Sequence, residues 1–185
     1  MQLAIIGYHG VINDAPEDSS SNAGGWRPIR GSLEAIARLH RAGWRIIVAS
    51  NKPELADGSL APDELVRQQA SLRRHVADSG GAIEAFCYCP HAPTSGCGCH
   101  LPATGLLQDI ATRLHIALDG VPVIGDSLSH IQAAREIGAR PILVKTGQGL
   151  TTVNQPELDP AVPVFNDLYS AVDSLLRQDH LTADH

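Results

Sequence analysis

The chain has 185 residues, 43% hydrophobic and 18% charged, with a formal net charge of −6. This length and composition suit one globular domain with a sizeable core. The acidic balance excludes nonspecific nucleic-acid binding, which needs a basic face, and the longest apolar stretches fall far short of the roughly 18 residues of a membrane span.

In chain order, Leu3–Ile6 reads as a first strand. Residues 14–28, rich in Pro, Gly and Ser, read as a loop. A helix follows, with Ser32 as its N-cap, apolar residues at helical spacing through Leu39, and Gly43 as its stop. The β-branched run Ile46-Ile47-Val48 places strand two at 45–49. A long amphipathic helix covers 62–79 and closes at Gly80-Gly81. Strand three is read at 82–87, a helix at 104–114, and strand four at 121–124. Gly125-Asp126-Ser127 leads into a helix ending near Ile137. Strand five is read at 141–144, a polar loop at 148–163, a last helix at 166–177, and a frayed tail after it.

Strands that alternate with helices imply a three-layer α/β fold: a parallel sheet with helices on both faces. One domain is expected over 1–178, with 179–185 as a flexible tail. Ligands bind beyond the carboxyl ends of the strands in such folds. That directs attention to the loops after strands one to five.

All four cysteines lie between positions 87 and 99. A disulfide framework would spread them along the chain, so the cluster indicates metal in a reducing compartment. Cys89-Pro90-His91 and Cys97-Gly98-Cys99 form a compact set of soft ligands suited to a closed, structural zinc site within a loop at 87–101. Cys87 is an alternative to His91, and four reduced, unliganded thiols are the bland alternative. The N-terminus lacks the basic region of a signal peptide. Together these features lead to the expectation of a cytoplasmic protein.

The order of the loops resembles the D-glycero-D-manno-heptose 1,7-bisphosphate phosphatases, in the histidinol-phosphatase-like branch of the haloacid dehalogenase (HAD) superfamily. The likeness covers about residues 1–150. It rests on Gly10-Val11-Ile12-Asn13, Trp26, Pro28, Gly31-Ser32-Leu33-Glu34, Ala49-Ser50-Asn51, Cys89-Pro90-His91, Cys97-x-Cys99, Pro102, Gly105, Gly125-Asp126-Ser127, Gln132-Ala133-Ala134 and Thr146-Gly147. The resemblance implies a HAD-like (Rossmannoid) phosphatase scaffold. In that family an aspartate after strand one attacks phosphorus and ligates Mg²⁺. A second aspartate two residues on is the acid/base, a lysine follows the zinc loop, and an acidic pair follows strand four.

Here Gly7 stands at the nucleophile, His9 at the acid/base, Leu101 at the lysine and His130 at the second acid, while Ser50, Asn51 and Asp126 match. Glycine cannot form an aspartyl-phosphate, and loss of a covalent nucleophile costs about 10⁴–10⁶ in kcat. The resemblance therefore implies a pseudophosphatase that binds a phosphate anion, a sugar phosphate or a protein partner. An active sugar-phosphate phosphatase with a nonstandard mechanism is the alternative. Mg²⁺ has only Asp126 to hold it.

Several side chains carry two readings. His9, Asp126 and His130 form a second metal site, or the two histidines merely fill the cleft. Lys52 and His100 replace the missing cation, or face solvent. Ser50, Asn51 and the loop N–H groups of residues 8–10 bind an anion, or cap a strand. On the anion reading, protonation of His9 and His130 makes binding tighter near pH 6 than near pH 8.

Overall fold

The structure, a computed structural model, describes residues 2–14 and 27–183, with side chains through 178. The expectations for Trp26 and for most of the loop at 14–28 lie outside the described residues. Six strands build one sheet: β1 (Leu3–Ile6), β2 (Arg45–Asn51), β3 (Ala85–Cys89), β4 (Pro122–Gly125), β5 (Arg140–Val144) and β6 (Val164–Phe165). All pairings are parallel, in the order β3-β2-β1-β4-β5-β6. The helices are α1 (Ser32–Arg41), α2 (Pro62–Asp78), α3 (Gly105–Leu114), α4 (Leu128–Glu136), α5 (Gly149–Thr152) and α6 (Leu168–Ala183).

Side chains alternate across a strand, and β1 feeds both faces of the sheet. Ala4 and Ile6 join Ile36 of α1, Leu72 of α2 and Val172 of α6. Leu3 and Ile5 join Leu107 and Ile110 of α3 and Ala134 of α4. The sheet is thus covered on both sides, which is the three-layer α/β arrangement that the alternation of strands and helices implies. Among the described residues no helix is long and apolar enough to cross a membrane.

Several boundaries differ from the sequence reading. Strand three lies at Ala85–Cys89, not 82–87, because β2 continues to Asn51 and each added residue pairs one more of β3: Ser50 with Tyr88, and Asn51 with Cys89. The first cysteine of the metal set therefore sits on a strand. Ser32 is not the cap of α1. Gly31 takes that place with φ +81°, and the Ser32 hydroxyl donates to the carbonyl of Ile12 at 3.1 Å. The polar loop at 148–163 holds α5 and precedes a sixth, two-residue edge strand. The last helix runs to Ala183, past position 177.

With β1 central and flanked by β2 and β4, the loops after these three strands share one end of the sheet. The candidate site lies there.

Candidate functional site at the carboxyl ends of β1, β2 and β4

Gly7 follows β1, and its N–H donates to the carbonyl of Ile124 at 2.8 Å. A Cβ on Gly7 would meet Nε2 of His130 at 3.2 Å and Val11 at 3.1 Å. A Cβ on Gly125 would meet the Cβ of His130 at 2.4 Å. The imidazole of His130 thus fills the space between two glycines at neighbouring strand ends. Its Nδ1 lies 2.9 Å from the Ser127 hydroxyl and its Nε2 lies 3.4 Å from the carbonyl of Ala49. Those partners suit a neutral ring. Burial lowers the His130 pKa from its ordinary value, and the opposing pull of Asp126 does not reverse this.

Asp126 is buried, and Oδ2 accepts the Gln148 N–H at 2.9 Å. Its backbone carbonyl accepts the Thr152 hydroxyl at 2.8 Å. The carboxylate is wedged between Gly10 (φ +72°) and Gly147 (φ +57°), where added Cβ atoms would stand 1.9 Å and 2.4 Å from Oδ2. Only glycine fits both the conformation and the close approach. Burial raises the Asp126 pKa. Gln148 and Thr152 escaped the sequence reading, because a backbone N–H and a lone threonine carry no pattern.

Mg²⁺ usually takes one or two carboxylates plus waters and phosphate oxygens. Asp126 is the single acidic residue in segments 7–13, 50–52 and 125–130, and one of its oxygens is already engaged. One remaining carboxylate oxygen, with neutral imidazoles as neighbours, does not fit that ion. Nor are His9, Asp126 and His130 gathered as a second metal set. Among the described residues, the group of three or more potential ligands lies elsewhere. His9 has turned to Lys52, and both ring nitrogens of His130 face other partners.

Lys52 is not at the surface. It is 4% exposed, with Nζ against Nε2 of His9 and 4.7 Å from the centre of the Tyr8 ring. His9 packs edge-on against the same ring. Burial first, and the Lys52 charge second, push the His9 pKa down to about 3. Its Nδ1 is buried without a hydrogen-bond partner. His9 is therefore a neutral acceptor, and Lys52 supplies the cation at this end of the sheet. The ring of Tyr8, expected only to contribute a loop N–H, is the platform for both. Burial raises its own pKa to about 12. The expected tightening of anion binding near pH 6 loses its His9 part, because that imidazole gains no proton in that range, and burial opposes protonation of His130.

Three more expectations change. Asn51 does not face the cleft as a ligand group. Its Nδ2 donates to the Leu101 carbonyl at 3.1 Å and its Oδ1 accepts the Leu101 N–H at 2.9 Å. Leu101 is 3% exposed and packs with Leu106 and Leu107 in the core, so no cation stands there. The Gly10 N–H is committed to the Asn13 carbonyl at 2.8 Å. Ser50 does line the cleft beside Lys52 and Tyr8. Nδ1 of His100 is 3.9 Å from the Cys89 sulfur, beside the cysteine group and not the cleft.

Cys89, His91, Cys97 and Cys99 offer ligand atoms that all lie within 4.8 Å of one another. The sulfur of Cys89 is 3.6 Å from that of Cys97 and 3.1 Å from that of Cys99. Nδ1 of His91 is 3.3 Å from Cys99. A tetrahedral ion with metal–sulfur bonds near 2.3 Å spaces its sulfurs about 3.8 Å apart, so the group is close to the size of such a shell. Cys87 stays outside it, half-buried in β3.

A HAD-hydrolase-like family model matches residues 99–171. Over 175 residues the chain is 39% identical to the D-glycero-beta-D-manno-heptose-1,7-bisphosphate 7-phosphatase of Pseudomonas aeruginosa, covering 95% of this chain and 98% of that one. It is 38% identical over 178 residues to the enzyme of the same name from Bordetella bronchiseptica, covering 96% and 99%. The crystal structure of the D,D-heptose 1,7-bisphosphate phosphatase from B. bronchiseptica, complexed with magnesium and phosphate, superposes with a TM-score of 0.92 at 38% identity over 96% of this chain and 99% of that one. That of the Burkholderia thailandensis enzyme superposes with a TM-score of 0.75 at 32% identity over 95% and 99%.

The contact between Gly7 and His130 predicts how the two positions are coupled. Gly7→Asp places a carboxylate against the imidazole. The His130 pKa should then rise, because a nearby negative charge favours the protonated ring. NMR titration of the histidine ring signals should show neutral His9 from pH 8 to pH 6 in the parent protein, and a His130 midpoint below that of an exposed histidine. In Gly7→Asp the His130 midpoint should move upward from that of the parent protein. An unshifted His130 would place the two residues out of contact.

Proposed function

The chain belongs to the D-glycero-beta-D-manno-heptose-1,7-bisphosphate 7-phosphatase family, and we propose that it is a noncatalytic member, which holds an anion beside Ser50 and Lys52 without cleaving a phosphate ester. Gly7 carries this reading. The residue that follows β1, where the resemblance implies the attacking carboxylate, has no side chain, and His130 stands close against that position. The acid/base position supports the same reading, since His9 is neutral, buried and turned to Lys52. So does Leu101, which is core and not cation.

Lys52 and Ser50 are the groups suited to an anion. A buried ammonium beside a hydroxyl gives charge-assisted hydrogen bonds at low local dielectric. A sugar phosphate, inorganic phosphate or another organic anion meets that chemistry. Docking of a protein partner is a role that such a member could fill as well.

A second reading, hydrolysis of a heptose bisphosphate, has the end-to-end likeness to relatives of that name in its favour. It needs a nucleophile other than residue 7. The discriminating experiment incubates purified protein with D-glycero-β-D-manno-heptose 1,7-bisphosphate, with and without Mg²⁺. Phosphate release should be at least about 10⁴-fold slower than the ordinary enzyme scale of 1–10³ s⁻¹. Turnover of about 1 s⁻¹ or faster overturns the noncatalytic reading. Sulfate, whose charge is constant here, should bind with affinities that agree within about twofold at pH 6 and pH 8, because His9, the imidazole beside Lys52, carries no charge at either. Lys52→Met should abolish that binding.

We further propose that Cys89, His91, Cys97 and Cys99 hold one structural zinc ion, since three thiols and an imidazole suit that metal and leave no open position. Elemental analysis should find about one zinc per chain. Chelation should lower the melting temperature by several degrees, because the ion ties the end of β3 to the segment that Asn51 clamps. Metal-free protein with an unchanged melting temperature would contradict this.

A further inference from the structure

The sheet ends in two edges. At one, β6 has two residues. At the other, β3 offers five, Ala85-Phe86-Cys87-Tyr88-Cys89, with no charge and no proline among them. Among the described residues, the backbone bonds of this strand run to β2 and to the N–H of Lys52. Its outer backbone groups point away from the sheet. Edge strands are ordinarily blunted by lysine or proline, because an open edge is a template for another strand. β3 carries neither.

On one face of this edge, the α2 row Val66, Gln69 and Arg73, spaced at three and four, runs along β3. Arg73 donates to the carbonyls of Ile83 and Glu84 and stacks 4.9 Å from the centre of the Phe86 ring. Gln69 lies beside Tyr88. Val66 and Tyr88, two of the four large hydrophobic residues exposed among the described residues, thus stand on the same side of the edge. On the other face, α3 packs over Cys87. There Asp109 and Arg113 form an exposed ion pair at 2.7 Å, one helical turn apart. Burial raises the Cys87 pKa, Asp109 adds to the rise and Arg113 opposes it, so both ends of the ion pair stand near Cys87.

We infer that β3 pairs antiparallel with β3 of a second copy of this chain, about a two-fold axis at Cys87, joining two six-stranded sheets into one. Cys87 then faces its own copy. Phe86 of each chain faces Tyr88 of the other, an aromatic cross-strand pair formed twice. A second copy is the occupant because this edge is complementary to itself, as a two-fold interface requires. The axis passes beside the Asp109–Arg113 pair. Reversing the direction of α3 sets Asp109 of one copy against Arg113 of the other, and the two ion pairs close into a ring of alternating charge. Val66 and Tyr88 gain cover from the second α2 in the same step. The two residues of β6 are too few to compete for the edge, so association stops at two copies.

Sedimentation velocity on the full chain tests this. The protein should sediment near 19.6 kDa when dilute and near twice that mass by about 100 μM, as mass action requires. Tyr88→Lys puts a charge on the edge at a half-exposed position and should weaken the dimer by about tenfold or more. Asp109→Arg leaves four cations round the axis and should weaken it by a similar factor. The swap of Asp109→Arg with Arg113→Asp keeps the alternation of charge and should restore the parent affinity to within about threefold. Opposite residues of an antiparallel pair have Cα atoms about 4.5–5.5 Å apart, inside the range that a disulfide spans. Diamide should therefore oxidise two Cys87 thiols to an interchain disulfide, taking up both protons as it is reduced to its hydrazine. Cys87→Ser should abolish that covalent dimer.

A monomer at every concentration up to about 200 μM overturns the inference. So does a mass beyond two copies, and so does a dimer that Tyr88→Lys and Asp109→Arg leave intact, since its contacts then lie elsewhere. A swapped variant as weak as Asp109→Arg alone would overturn the opposed ion pairs. A dimer without a cross-link that depends on Cys87 would move the axis and overturn the pairing as well.

Discussion

One contact organises this end of the molecule: the imidazole of His130 seated between Gly7 and Gly125. Two adjacent strands end without side chains, and a single ring from α4 fills the gap they leave. Protein interiors are close-packed, so the arrangement is reciprocal. A side chain at position 7 needs the ring to move, and loss of the ring opens a hole between β1 and β4. The lowered pKa of His130 follows from the same enclosure, and so does its use of Ser127 and Ala49 as partners. Asp126, one turn away, is held by Gln148 and by the close approach of Gly10 and Gly147. The carboxylate at this end of the sheet thus ties loops together.

The opposite side of the cleft is organised by charge. Lys52 is buried, over Tyr8 and against His9, and its own N–H bonds to the Cys89 carbonyl at 2.8 Å. That backbone bond connects the cleft to the cysteine group. Asn51 makes a second connection through both atoms of its amide to Leu101. An ion held by the cysteine group, as proposed, would steady the residues that shape the cleft without facing it. This is the ordinary division between structural metal and ligand site.

The general architecture was legible in the sequence because hydrophobic period and turn residues agree along most of the chain. The β-branched run at 46–48 and the clustered cysteines needed no three-dimensional information. Boundaries set by a partner strand were not legible: Tyr88 and Cys89 join β3 only because β2 reaches Asn51. Side-chain direction was equally hidden. Nothing local distinguishes a lysine buried on Tyr8 from one in solvent, or an asparagine that clamps a distant peptide from one that faces a ligand. The grouping of His9, Asp126 and His130 failed for this reason. Proximity of strand ends says which residues are neighbours and not which way they turn.

The central claim is that no carboxylate in this cleft can take a phosphoryl group. It is tested most directly by incubating the protein with ³²P-labelled acetyl phosphate and Mg²⁺, quenching in acid and counting label that stays on the protein. The account predicts no retained label above that of heat-denatured protein. Retained label approaching one phosphate per chain, acid-stable and released by hydroxylamine as an acyl phosphate is, would contradict it.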